Sequence, residues 1–190
     1  AIDMGQAEAL QRRLREAQEH ISINDLVVKA AAIALQQEPM VNATLAENGY
    51  SLRPDADIAI AVALDDGLLM PVIRGCQTLS LRQIAQQGRR LIEQAQAGSL
   101  NEEQLSGASF PISNLGKAGI DQFAALIPPG QAAILAVATI SDQAVVRNGE
   151  LTAARMMQVT LSSDHRLVDG LCAAKFLTAF KTALEDPTSL

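Results

Sequence analysis

The sequence predicts an α/β fold, a two-layer sandwich in which helices cover a mixed β-sheet. Stretches with helical periodicity and stretches with strand-like alternation are mixed along all 190 residues. Their order is not a regular strand–helix–strand repeat, which indicates a sheet with both parallel and antiparallel neighbours. No internal repeat, low-complexity run or linker divides the chain, so the length predicts a single domain over 1–190.

The predicted helices follow from apolar periodicity and from end signals. Ser22 with Asp25, Ser80 with Gln83, and Asn101 with Gln104 have the spacing of a capping box, in which each residue satisfies a free backbone N–H of the other. The centre of the second helix is apolar nearly all round, which predicts a buried helix. The stretches concerned are 4–19, 22–38, 80–97 and 173–180, with a short helical turn at 101–105.

The predicted strands are apolar or alternating runs bounded by turn residues. Glycine-containing turns are predicted at 47–49, 65–67 and 148–149. The adjacent carboxylates of Asp65 and Asp66 are interpreted as turn formers and not as an acid/base pair. The predicted strands are 1–4, 41–46, 50–53, 57–64, 68–73, 109–113, 131–139, 144–147 with its return near 151, and 156–161.

Composition excludes several classes of function. A net charge of -6, with no stretch that clusters Lys and Arg with interleaved aromatics, argues against a nucleic-acid surface. Cys76 and Cys172 are far apart and lack metal-ligand spacing, so neither a disulfide framework nor a zinc site is expected, and a reducing compartment fits. No run of 18 apolar residues predicts a membrane span, and no signal peptide is expected.

The stretch around His165 is the main candidate for chemistry. A predicted strand ends before it and a predicted helix begins after it, with Asp169 and Gly170 four and five residues on. A strand-to-helix junction can hold a reactive side chain rigidly, and histidine moves protons near neutral pH. The residues alone leave two interpretations open, a catalytic base and a surface or structural histidine.

Several stretches resemble one family. Residues 164–170, Asp-His-Arg-Leu-Val-Asp-Gly, resemble the His-x-x-x-Asp-Gly signature of CoA-dependent acyltransferases. More specifically, the chain resembles the catalytic domain of the dihydrolipoamide acyltransferase (E2) component of 2-oxo acid dehydrogenase complexes. Residues 24–30, 60–73 and 113–116, the last Ser-Asn-Leu-Gly, resemble the same family.

The chain also departs from the pattern of that family. The family begins with an earlier helix and strand, so the chain is expected to lack the N-terminal edge of the domain, and the lipoyl and subunit-binding domains are likewise expected to be absent from it. Near the two prolines at 128–129, Ile127 stands where the family usually has Asn, and Gly130 looks inserted.

The resemblance implies the chloramphenicol-acetyltransferase-like fold and a reaction. An acyl group would move between dihydrolipoyl-lysine and coenzyme A, with His165 as the base that accepts the thiol proton. Ser113 falls where the family has a hydroxyl that hydrogen-bonds the tetrahedral intermediate. Asp169 is tempting as the third member of a Ser-His-Asp triad, but the family assigns this position an orienting, structural role. No metal is implied, and the residues that contact coenzyme A are unknown.

The resemblance also implies partners. The active site would lie between subunits of a homotrimer, and trimers assemble into cores of about 24 or about 60 copies. The lipoyl group would be carried on a separate or missing domain, and the E1 and E3 components would be reached through missing N-terminal regions. The expected compartment is the cytoplasm, or the mitochondrial matrix in a eukaryote. Two alternatives stay open: a chloramphenicol-acetyltransferase-like O-acyltransferase, and a structural core subunit without activity.

Overall fold

The structure is a computed structural model that describes residues 1–46, 48–64 and 67–190. Its helices are α1 (Gly5–Glu16), α2 (Ile23–Gln37), α3 (Leu81–Gln96), α4 (Glu102–Leu105) and α5 (Gly170–Glu185), and short 3-10 turns lie at Pro39–Asn42, Gly116–Ala118 and Pro187–Ser189. Its strands are β1 (Ile2–Asp3), β2 (Ala43–Ala46), β3 (Gly49–Leu52), β4 (Ile58–Ile60), β5 (Val62–Leu64), β6 (Gly67–Leu69), β7 (Val72–Ile73), β8 (Phe110–Asn114), β9 (Ala133–Arg147) and β10 (Glu150–Ser163).

The main sheet has the strand order β1-β10-β9-β8-β4-β7. Strand β8 runs parallel to both β4 and β9, and the other neighbours are antiparallel. The predicted mixed sheet is therefore confirmed. Two small hairpins, β2–β3 and β5–β6, stand outside it.

The helix starts follow the sequence signals. The predicted capping boxes at Ser22, Ser80 and Asn101 are all formed. The buried character predicted for α2 is also confirmed, because most of its side chains between Leu26 and Leu35 are buried. Helix α2 packs between α3 and α5.

The hydrophobic core lies between the helices and one face of the sheet. Phe110 of β8 packs on Phe176 of α5, with ring centroids 5.3 Å apart. Ile112 and Leu135, on neighbouring strands, belong to the same core. Because successive side chains of a strand point to opposite faces, Ser113 lies on the sheet face that points away from the helices.

The long β9–β10 hairpin differs from the prediction. The sequence predicts separate strands at 131–139, 144–147 and 156–161, but β9 and β10 are continuous and pair along almost their whole length, with an irregularity between Met157 and Val159. Its outer half is largely exposed, so burial leaves no apolar pattern in the sequence there. Ion pairs from Arg147 to Asp3 and from Arg155 to Glu8 tie this half to β1 and α1.

The run predicted as one strand over 57–64 is two strands. After Ile60 the chain leaves the main sheet, and Val62 pairs with Leu69 in a separate hairpin. Alternation in the sequence is the same on both sides of this bend, so it could not reveal the change of partner. The predicted turn residues Glu47, Asp65 and Asp66 lie outside the described residues. Among the helices that the structure describes, none is long and apolar enough to cross a bilayer.

Candidate active site

His165 lies in a tight turn between β10 and α5. The turn begins where the Asp164 N–H donates to the Ala132 carbonyl at 2.8 Å, and the N–H groups of Leu167 and Val168 both donate to the Asp164 carbonyl at 2.9 Å. The Val168 side chain is fully buried and anchors the turn in the core. The His165 side chain is exposed, so a rigid backbone presents an accessible imidazole.

The two residues on either side of His165, Asp164 and Arg166, form an ion pair. The Asp164 carboxylate accepts hydrogen bonds from the Arg166 guanidinium, at 2.6 Å from Nη2, and from the Arg166 backbone N–H at 3.0 Å. The hydrogen bonds from the Arg166 side chain, and to a smaller extent the one from its backbone N–H, lower the pKa of Asp164 to about 2. Asp164 is therefore a carboxylate at neutral pH and serves the turn as an acceptor.

Asp169 caps the helix that follows. Its Oδ1 accepts a hydrogen bond from the Cys172 N–H at 2.8 Å, which makes Asp169 the N-cap of α5. In the part of the chain that the structure describes, no hydrogen bond joins Asp169 to His165. The Asp169 carboxylate is thus engaged in a hydrogen bond to the N-terminus of α5. Gly170, the first residue of that helix, has open space where a Cβ would stand.

Ser113 lies near the end of β8, half-buried, on the sheet face opposite the helices. Its neighbour Asn114 holds the chain as it leaves the strand. The Asn114 Oδ1 accepts from the Gly116 N–H at 2.8 Å, and its Nδ2 donates to Asn24 Oδ1 at 3.0 Å. Asn24 was not singled out in the sequence, because a contact over 90 positions leaves no local pattern.

Ser113 and His165 are not brought together within one chain. Ser113 pairs with Ala136, which pairs with Thr160 of β10, so Ser113 and β10 are two strand spacings or about 10 Å apart. The His165 turn starts opposite Ala132, about 13 Å farther along the sheet. The backbones of the two residues are therefore separated by at least about 12 Å.

The two cysteine thiols and two surface grooves are further candidates for a functional site. Burial raises the pKa of Cys76 to about 12, and burial together with Glu38 raises the pKa of Cys172, so neither is an activated nucleophile. Grooves of about 840 and about 520 Å³ are lined by neither His165 nor Ser113. Within the described ranges, no group of three or more His, Cys, Asp or Glu side chains is placed to hold a metal ion.

Comparison with known proteins gives consistent relatives. The sequence model of the family described as 2-oxoacid dehydrogenases acyltransferase (catalytic domain) matches residues 1–190. A dihydrolipoyllysine-residue acetyltransferase component of pyruvate dehydrogenase complex from Rickettsia felis is 40% identical over 167 residues. That match covers 88% of this chain and 40% of the relative, so the chain spans less than half of the relative's length.

Solved structures agree in fold. Dihydrolipoamide acetyltransferase from Azotobacter vinelandii has a TM-score of 0.93 and 31% identity, over 99% of this chain and 80% of that chain. The cubic core of the pyruvate dehydrogenase multienzyme complex gives the same four values. A chloramphenicol acetyltransferase, with a TM-score of 0.57 and 17% identity over 97% of this chain and 84% of that chain, shares the fold alone.

The Azotobacter structure addresses the role of a serine, a histidine and an asparagine in the catalytic mechanism of that enzyme. There the serine precedes the histidine by 52 positions and the asparagine follows it by four. Ser113 and Asp169 stand at the same separations from His165. The chain adopts the chloramphenicol-acetyltransferase-like acyltransferase fold and belongs to the family of 2-oxoacid dehydrogenase acyltransferase catalytic domains.

Proposed function

We propose that the chain transfers an acyl group between dihydrolipoyl-lysine and coenzyme A and forms part of the core of a 2-oxo acid dehydrogenase complex. The observation that carries this proposal is the pair formed by Ser113 and His165. The pair occurs in a member of the acyltransferase family and has the same separation in sequence as the serine and histidine studied in the Azotobacter enzyme.

His165 is the proposed general base. Thiols have an ordinary pKa of about 8.5 and are mostly protonated at neutral pH, although the thiolate is the nucleophile. The exposed imidazole of His165 would accept the proton as the thiol sulfur attacks the thioester carbonyl. A base positioned in this way contributes about 10²- to 10⁴-fold to a rate.

Ser113 is the proposed donor to the oxyanion. Attack on the thioester carbon turns its carbonyl oxygen into an oxyanion, and the Ser113 hydroxyl would donate a hydrogen bond to it. When the intermediate collapses, the sulfur of the original thioester leaves as a thiolate and takes the proton held by His165, which gives the second thiol. Bonds and protons balance without a covalent enzyme intermediate.

Asp169 and Asp164 are proposed to orient the histidine without contacting the substrate. Asp169 fixes the start of α5, and Asp164 closes the turn through Arg166 and the Ala132 carbonyl. His165 lies between these two anchors. The enzyme from Azotobacter has an asparagine four residues after its histidine, the separation at which Asp169 follows His165, and an asparagine can cap a helix equally well.

The proposed site lies between two copies of the chain. The separation of at least about 12 Å between the backbones of Ser113 and His165 supports a site in which one copy supplies the base and its neighbour supplies the hydroxyl. The exposed His165, and a Ser113 that faces away from the core, are both compatible with such a contact. We propose a homotrimer, assembled further into a cubic or dodecahedral core.

Further partners follow from the proposed reaction. Coenzyme A and its acyl thioester are substrates, the lipoyl group arrives on a separate domain, and the E1 and E3 components are the functional partners. The proposed compartment is the cytoplasm of a bacterium or the mitochondrial matrix of a eukaryote.

The test is acyl transfer from acetyl-CoA to free dihydrolipoamide. We expect turnover by the native chain, a loss of at least about 10²-fold in His165→Asn, and no loss in His20→Asn. His20 is the matched control, because it is exposed and lies in the loop between α1 and α2. Turnover with a small alcohol acceptor instead would support an O-acyltransferase. Equal rates in native and His165→Asn chains would contradict the proposal.

A further inference from the structure

Two amide side chains connect the start of α2 to the end of β8. Asn114 Nδ2 donates to Asn24 Oδ1 at 3.0 Å, and both residues are partly buried. The two belong to separate stretches, 24–30 and 113–116, which the structure brings into direct contact. Asn114 immediately follows Ser113, so this contact acts on the residue next to the proposed oxyanion donor.

Capping of α2 does not explain Asn24. The helix start is already satisfied by Ser22 and Asp25, which form a complete capping box. Asn24 lies between them in the first turn, and its side-chain oxygen points to β8. Its role is therefore to be found at the strand and not at the helix end.

Asn114 is held from several sides. Its backbone pairs with Val137 of β9, and the next N–H, that of Leu115, donates to the Val137 carbonyl at 3.0 Å. Its side-chain oxygen accepts from the Gly116 N–H at 2.8 Å, which closes a turn directly after the strand. Asn24 binds the other end of the same amide, so it fixes which way Asn114 faces.

The turn leaves little freedom. A Cβ at Gly116 would lie 3.0 Å from the Ala138 carbonyl oxygen and 3.1 Å from Asn114 Oδ1, so the turn packs tightly against β9 and against the amide. A rotation of Asn114 would break the bond to Gly116 and release this turn. The path of the chain through Ser113 and Asn114 would then be free to shift.

We propose that Asn24 is a positioning residue for Ser113, acting through Asn114. This inference rests on the proposed acyl transfer. A donor to an oxyanion is effective only when it lies about 2.7–3.1 Å from the position of the developing charge. A misplacement of about 1 Å can cost about 10²-fold in rate. Asn24 holds the strand end in register with the oxyanion and contacts neither substrate.

The test uses three single variants of the chain. Asn24→Ala removes the acceptor for Asn114. Asn24→Asp keeps an oxygen acceptor and adds a charge that the N-terminus of a helix favours. Ser22→Ala is the matched control, because it removes the cap of the same helix without touching β8.

We expect Asn24→Ala to lower kcat for acyl transfer by about 10-fold, with KM for both substrates within about twofold. Asn24→Asp should restore most of kcat. Ser22→Ala should lower Tm by about 2–4 °C and leave kcat unchanged. If Asn24→Ala lowers Tm like the control and leaves kcat unchanged, the contact only stabilises the fold and the proposal is overturned.

A second readout does not depend on turnover. The Gly116 amide should exchange with solvent about 10-fold faster in Asn24→Ala than in the native chain, and at the native rate in Asn24→Asp. If the native chain does not catalyse acyl transfer, the proposed function fails. Independently of that result, an unchanged exchange rate of the Gly116 amide in Asn24→Ala would overturn the positioning role of Asn24.

Discussion

Replacing Asp169 distinguishes a helix cap from a member of a catalytic triad. Its Oδ1 accepts a hydrogen bond from the Cys172 N–H at 2.8 Å. Asparagine offers an oxygen at the same place, whereas alanine offers none. We therefore expect Asp169→Asn to keep the start of α5 and Asp169→Ala to lose it.

The magnitude follows from the exposure of the site. Because Asp169 is exposed, removing its side chain costs only the contribution of an N-cap, so Asp169→Ala should lower the free energy of unfolding by about 1 kcal/mol. Asp169→Asn keeps the cap but interacts more weakly with the helix dipole, so it should cost about a few tenths of a kcal/mol. For a chain of this length, about 1 kcal/mol lowers Tm by about 2–4 °C. If the carboxylate instead stabilised an imidazolium, Asp169→Asn would lower kcat by about 10⁴-fold, as in the Ser-His-Asp triad.

The assay combines urea unfolding with acyl transfer from acetyl-CoA to dihydrolipoamide. We expect kcat of Asp169→Asn to stay within about threefold of the native value, since every contact that orients the turn is retained. A loss of more than about 10³-fold in Asp169→Asn, with unchanged unfolding, would refute the capping role and establish the carboxylate as a partner of His165.

Three further changes have defined outcomes. Ser113→Ala should lower kcat by about 10²-fold without changing Tm, because it removes an oxyanion donor. Gly116→Ala should destabilise the fold by about 1–3 kcal/mol in urea unfolding, since its Cβ would lie 3.0 Å from a backbone carbonyl of β9, whereas Gly170→Ala, with open space at its Cβ, should not. Arg166→Gln should raise the pKa of Asp164 from about 2 towards 3.8, measured by carboxyl NMR.

Acid titration tests the prediction for Arg166→Gln through the pH dependence of stability. A depressed carboxyl pKa stabilises the fold above the unfolded value of 3.8, and the stabilisation is lost as pH falls towards about 2. Arg166→Gln should therefore remove part of the acid dependence of stability below pH 4. An unchanged titration would show that Arg166 does not hold Asp164 in solution. Full activity of Ser113→Ala, or native stability of Gly116→Ala, would contradict the other two predictions.

Local signals in the sequence predicted local structure well. Ser22 with Asp25 and Ser80 with Gln83 form the capping boxes that their spacing indicated, and the turn at 148–149 closes the expected hairpin. The N-cap role of Asp169 also has a local signal, an aspartate directly before a predicted helix.

Contacts between distant residues could not be predicted. The outer half of the β9–β10 hairpin has little burial, so its strands left no apolar pattern to extend. The bend after Ile60 changes the partner of the strand without changing its alternation. The contact of Asn24 with Asn114 and the separation of Ser113 from His165 both depend on how α2 and the strands are placed in the fold.

The most direct test of a site shared between copies is complementation. His165→Asn and Ser113→Ala chains, each expected to have lost at least about 10²-fold in acyl transfer, are co-expressed in equal amounts and purified as one assembly. If each site takes His165 from one copy and Ser113 from its neighbour, random mixing restores about a quarter of the native sites and about a quarter of the native rate. If both residues of a site belong to one chain, the mixed assembly shows no more activity than the two variants assayed separately.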